Sequence, residues 1–336
     1  MRIKPLLSLF TGAVTLLAST VLAAGGSSAA TVPDCARDLL PTLPGSIGTT
    51  VDAGDPGGRY QVGRSEDASG RYRLVRWTGD QPADLGPLDA SVPTGAGYNG
   101  DVIGNAPAGD GWQGWRWRQG VRTALPTPAG FAGATAEAIN DSGVIAGTAY
   151  DADGWNTRAV VWSANNQVRV LSAPTGFNNV KAADIDFDGT VAGTAEDWDV
   201  PNAHLRQQET VRWSAAGAID RVNQTGSSAK AIFNGQIAAD VAGRPWVFFG
   251  YPTYDEVAVA ATGPVRDIAV NSIRTMVLLG DRYNLQLVDI DRGPQRLPVE
   301  DPAVSGGAAT VVTGDLKVYG TDFARGLRTP VRWTCN

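Results

Sequence analysis

The stretch Ala138-Ile139-Asn140-Asp141-Ser142-Gly143-Val144-Ile145-Ala146-Gly147, followed after a polar loop by Arg158-Ala159-Val160-Val161-Trp162, decides how this chain is to be read. It holds one short apolar strand, a tight turn, a second strand ending in Gly and a third ending in Trp. Asn, Asp and Gly stand in the turn, where a positive φ or a side-chain to backbone bond is needed. Outward in both directions the same unit returns. Its closing glycine recurs at Gly63, Gly104, Gly193 and Gly320, and Ala239 and Leu279 hold that place in two eroded copies, so the steps are 41, 43, 46, 46, 40 and 41 residues. A period of roughly 40 to 45 residues with several short strands per unit marks a β-propeller, whose blades bury their faces only by stacking on neighbours. The sequence therefore predicts an all-β protein of seven four-stranded blades.

The third copy shows all four strands, ending with Val168-Arg169-Val170-Leu171, whereas the seventh stops after Val331-Arg332-Trp333 and lacks its outer strand. At the other end, Asp38-Leu39-Leu40-Pro41 looks like an outer strand without an owner. The N-terminal segment is expected to complete the last blade and close the ring, covering two strand edges that would otherwise invite association. Cys35 and Cys335 are the only cysteines and stand at the two sides of that joint, so they are expected to form a disulfide. Arg and Trp side by side on a strand point to opposite faces of a blade. Trp77, Trp117, Trp162, Trp213 and Trp333 are thus expected between blades, and Arg76, Arg116, Arg212 and Arg332 are placed to reach a carboxylate or carbonyl of the neighbour.

Residues 1–30 stand outside the repeat. Arg2 and Lys4 precede an apolar run from Leu6 to Ala24, and Ser28-Ala29-Ala30 offers small residues for cleavage, the three regions of a secretory signal. A membrane anchor is the bland alternative, but Thr11, Gly12, Ser19 and Thr20 dilute the run and no basic stop-transfer cluster follows. The expected product, residues 31–336, is one secreted, extracellular propeller domain, and a monomer is expected. The chain carries 28 basic and 34 acidic residues, a net charge of −6. Loss of Arg2 and Lys4 makes the balance more acidic still, which argues against nucleic acid and against anionic membranes as partners.

The unit A-I-N-x-x-G-x-I-A-G followed by R-A-V-x-W resembles the extracellular HAF-repeat family of bacteria, with its best match at Ala138–Gly147 and Arg158–Trp162 and declining fidelity over residues 46–335. Arg-Ala-Val, Arg-Leu-Val or Thr-Val-Arg replaces the family's His-Ala-Phe, and the fifth and sixth copies are poor matches, with Leu285-Gln286-Leu287 in place of the Trp-bearing strand. The resemblance implies secretion and a repeat fold and assigns no reaction.

Chemistry is harder to find. His204 is the only histidine, and there is no nucleophile elbow, phosphate loop or dinucleotide fingerprint. Asp184-Ile185-Asp186-Phe187-Asp188-Gly189 opens like a calcium loop, with Asp184, Asp186 and Asp188 as ligands, yet Ala195 holds the place of the bidentate acid and the segment aligns with the plain turn of the preceding copy. No other cofactor is expected. The longer loops between second and third strands hold Asp110-Gly111-Trp112, Tyr150-Asp151-Ala152-Asp153-Gly154-Trp155, and Glu196-Asp197-Trp198-Asp199 running to His204. Three consecutive copies thus set a Trp beside a carboxylate, an arrangement that stacks on sugar rings or anchors a protein partner; the bland reading folds these indoles down into the rim. The expected function is a non-catalytic secreted scaffold binding a glycan or protein on this face. The alternative is a secreted hydrolase or lyase acting on polysaccharide through Asp151, Asp153, Asp197 and Asp199.

Overall fold

In the computed structural model, residues 35–197, 207–223, 226–250, 255–259, 261, 263–270, 275–280, 284–300 and 306–335 are described. The signal-like segment 1–30 lies outside them, as do Trp198, Asp199 and His204. The strands build seven four-stranded antiparallel blades over residues 46–87, 92–124, 133–170, 179–223, 227–258, 265–296 and 307–334, the last taking its outer strand from Ala36–Leu39. Blade 3 shows the plan: Gly133–Ile139 innermost, then Ile145–Tyr150, Thr157–Trp162 and Val168–Val170. The two eroded copies form complete blades as well. Leu285–Asp289 serves as the third strand of blade 6 without a Trp, because Leu285, Leu287 and Val288 bury enough apolar surface to fill the same place.

The repeat glycine has a geometric cause. Six of the seven inner strands carry a register shift at the same point, between Pro93 and Gly95, Ala136 and Ala138, Ala182 and Asp184, Ala229 and Ala231, Val265 and Asp267, and Ala309 and Val311, and in blade 1 the inner strand is interrupted there, between Ser46–Thr49 and Ala53–Gly54. Such a β-bulge bends the strand and leaves one residue unpaired. The bend lays an inner-strand carbonyl over the second strand, so that a Cβ at Gly63, Gly104, Gly147, Gly193 or Gly320 would overlap the carbonyl oxygen of Thr50, Val92, Thr135, Lys181 or Ala308. The next residue along, Asn105, Thr194, Asp240 or Thr321, then reaches into the following blade and accepts the N–H just before or within its bulge, on Ala136, Ala229, Val265 or Val51, at 2.8 to 3.2 Å. Glycine and its polar successor together make the bulge and satisfy the donor it frees.

Neighbouring blades share apolar layers in which the third-strand tryptophans are central. Trp77, Trp162, Trp213 and Trp333 are fully buried. Their indole N–H groups donate to the carbonyls of Pro41, Pro126, Ser172 and Pro298 in the links between blades, at 2.7 to 2.8 Å. Blade 2 departs from the expected pattern. There Trp115 fills the core position, and Trp117 is only half-buried, its ring 5.4 Å from the Arg76 guanidinium of blade 1. Arg76, Arg116 and Arg332 bridge forward as expected: Arg76 to the Gly100 carbonyl, Arg116 to the Gly143 and Ala164 carbonyls, and Arg332 to Asp80. Arg212 lies 3.9 Å from Asp220 of its own blade.

The ring closes as the termini implied. Ala36 pairs with Thr334 and Leu39 with Val331, antiparallel, and Leu40 is buried against the first blade. Arg37 lies 2.7 Å from the fully buried Asp322. Cys35 and Cys335 are bonded across the joint, with Cα atoms 4.5 Å apart.

Candidate functional site

The loops between second and third strands gather on one face of the ring, opposite the Asn/Asp/Gly turns. On that face Trp112 and Trp155 are exposed, at 43% and 58%, while the other described tryptophans are buried or half-buried. Tyr150 ties blade 3 to the Trp112 main chain. It ends the second strand of blade 3, and its hydroxyl accepts from the Trp112 N–H and donates to the Trp112 carbonyl in blade 2. Gly111 and Gly133 make room for the phenol, since a Cβ at either would collide with its oxygen. Tyr150, expected as a ligand contact, is therefore a brace that fixes the main chain beneath one indole at the root of the loop bearing the other.

Asp151 also turns inward on its loop. Its carboxylate accepts from the Trp155 N–H at 3.0 Å and the Asn156 side-chain amide at 2.6 Å. The Asn156 bond leads the influences that hold its pKa below the usual carboxylate range. Asp153 is exposed at the loop tip, and Asp197 is half-buried, its N–H donating to Gln207. The structure thus joins Trp112, Tyr150, Asp151 and Trp155 into one patch across blades 2 and 3, while Trp198, Asp199 and His204 fall outside the described residues.

The calcium-like loop does not fit a cation. Asp184 accepts the N–H groups of Ile185 and Ile232, both at 2.8 Å. Asp186 accepts those of Phe187, Asn234 and Gly235 at 2.6 to 3.0 Å, and Asp188 that of Thr190 at 2.8 Å. Asp184 and Asp186 tie blade 4 to blade 5 while Asp188 stays within its own turn, and among the described residues no group of three or more His, Cys, Asp or Glu could hold a metal. Asp267 repeats the device in blade 6, accepting from Val312 of blade 7 at 2.8 Å. Both Asp184 and Asp267 are half-buried on the channel wall. Burial pushes their pKa values up to about 7 and about 8.

A second feature was not legible in the repeat. The unpaired bulge residues, Asp52, Thr94, Glu137, Ala183, Lys230, Arg266 and Thr310, form a ring around the central channel, one from each blade. They line a cavity of about 320 Å³ that reaches Asp141 and Phe187 at the turn face. Asp52, Arg266 and Thr310 also border a second cavity of about 520 Å³ running toward Leu285 and Phe323 on the long-loop side. The ring is polarised, with its acids on blades 1 and 3 and its bases on blades 5 and 6. The only signal in the sequence was the residue one place after the one opposite each repeat glycine, and it is visible only once strand pairing is known.

A comparison with protein-family models finds no match, and a comparison with curated proteins finds none. Solved structures similar to this one are β-propellers. The β-propeller domain of the Trilobed protease from Pyrococcus furiosus is 10% identical, with a TM-score of 0.57 over 82% of this chain and 92% of that one. Virginiamycin B lyase from Staphylococcus aureus is 13% identical, with a TM-score of 0.53 over 90% and 99%. YCF48 from Cyanidioschyzon merolae is 10% identical, with a TM-score of 0.50 over 89% and 99%. Likeness at this identity establishes a shared architecture, and the chain is a β-propeller.

Proposed function

We propose that this protein is a secreted, non-catalytic propeller of the HAF-repeat kind that binds a glycan on its long-loop face. The observation that carries this reading is the pair Trp112 and Trp155, the two exposed indoles among the described tryptophans, set on adjacent blades, with the main chain of Trp112 held by Tyr150 and that of Trp155 by Asp151. Aromatic faces on a rigid scaffold stack on sugar rings at low entropic cost, and neighbouring carboxylates accept hydroxyl hydrogen bonds. Asp153, exposed at the tip, is free of the loop-bracing role that occupies Asp151. Virginiamycin B lyase shares the architecture, but a carboxylate-dependent hydrolase or lyase finds little support at this patch. Asp151 is saturated by its own loop and held ionised, which suits neither a general acid nor an available nucleophile.

A glycan array followed by titration of the best binder tests the reading. Trp112→Ala and Trp155→Ala are expected to abolish binding while leaving the melting temperature unchanged within about 2 °C, as for exposed positions generally. Undiminished binding by both variants removes this face as the site. Polysaccharide cleavage that disappears in Asp153→Asn would replace the binding reading with the enzymatic one.

A further inference from the structure

We propose that the central channel is a second ligand site, one that takes a small organic carboxylate between Arg266 and Lys230. Both residues occupy bulge positions on adjacent blades, so the fold itself aims their side chains at the channel. Their partners are few. Arg266 donates through Nε to the Gly280 carbonyl at 2.9 Å, and among the described residues its other nitrogens have no protein acceptor. Lys230 Nζ lies 3.7 Å from Asp240, a long contact for an ion pair.

The acids of the channel, by contrast, are engaged elsewhere. Asp52 holds Arg64 through two bonds of 2.9 Å, and Glu137 accepts from the Thr135 hydroxyl at 2.7 Å. Asp184 and Asp267 spend their oxygens on main-chain N–H groups. Two cations therefore face a cavity of about 320 Å³ with donors to spare, while among the carboxyl groups that also line it Asp52, Glu137, Asp184, Asp186 and Asp267 each already accept from a protein donor. The guanidinium fork matches a carboxylate in two parallel hydrogen bonds. Below it, Ile139, Ile185 and Ile232 line the same cavity and offer an apolar bed for an organic body. Nearby carboxyl groups work against a doubly charged inorganic anion, which is why a carboxylate fits better than phosphate.

Titration calorimetry of the full chain with benzoate, succinate and inorganic phosphate at neutral pH tests the site. Benzoate or succinate is expected to bind, with phosphate at least about tenfold weaker, and the ligand is expected to raise the melting temperature. Arg266→Gln is expected to weaken binding at least about tenfold and Lys230→Gln several-fold, with Arg266→Lys recovering part of the loss, as for a charge-assisted contact. Trp155→Ala is expected to leave this binding unchanged, which separates it from the glycan face. Absence of carboxylate binding, preference for phosphate, or full affinity in Lys230→Gln, whose side chain has only its distant Asp240 neighbour, would each overturn the proposal.

Discussion

At the residue scale, the repeat glycine and the buried aspartates make opposite demands. Gly147 lies under the Thr135 carbonyl and against the Trp162 ring, and both are fixed, so added volume has nowhere to go. Gly147→Ala is expected to cost about 3 kcal/mol in urea unfolding, the upper range for overpacking a tight site. Ala239→Gly, at the equivalent place in blade 5, is expected to cost only about 0.5 to 1 kcal/mol, the backbone entropy of glycine in a strand. Asp184 and Asp267 set a pH dependence whose sign follows from the direction of their shifts. Below about pH 4 a carboxyl is protonated both folded and unfolded. As pH rises from there the unfolded state ionises while the native state keeps its protons, so stability falls, and the fall levels off once the native groups ionise, near pH 7 and 8. Asp184→Asn with Asp267→Asn is expected to flatten the decline of the urea midpoint between pH 5 and pH 8. An undiminished slope would show that other groups set it.

Among the elements, tryptophans of one chemistry separate into two classes by strand position. Trp162 closes a third strand, is fully buried and bonds the Pro126 carbonyl, so Trp162→Ala is expected to cost about 3 to 5 kcal/mol. Trp155 stands on a loop and is 58% exposed, so its loss should change stability by less than about 0.5 kcal/mol. Thermal melts of the two variants side by side check this contrast. Tyr150→Phe removes both bonds to the Trp112 main chain and is expected to cost about 1 to 2 kcal/mol, and to weaken glycan binding by loosening Trp112. Unchanged affinity in that variant would mean that the brace and the binding surface are independent. Repeat spacing allotted Trp77, Trp162, Trp213 and Trp333 to the core correctly, but it could not see that Trp115 displaces Trp117 in blade 2. Trp117 there meets Arg76 of the preceding blade, whose guanidinium lies over its ring.

For the whole molecule, closure is the cooperative step. The Cys35–Cys335 bond spans 300 residues, so in the chain-entropy model its loss is worth about 5 to 6 kcal/mol. Cys35→Ser is expected to lower the melting temperature while far-ultraviolet circular dichroism stays native, because the Ala36–Leu39 strand and the Arg37–Asp322 pair still join the last blade to the N-terminus. The period, the ownerless outer strand and the two cysteines were enough for the amino-acid order to determine a closed ring of seven blades. These are local, recurrent features, and the bulge that each blade needs imprints itself on a glycine and its polar neighbour. The calcium-like loop misled because Asp184 and Asp186 bond main chain of the next blade, about 45 to 50 positions away, and Asp188 caps its own turn at Thr190. The polarised channel escaped notice for a related reason. Asp52, Glu137, Lys230 and Arg266 stand far apart in the chain and become neighbours only when seven inner strands meet around one axis, so tertiary structure alone decided which charges face one another.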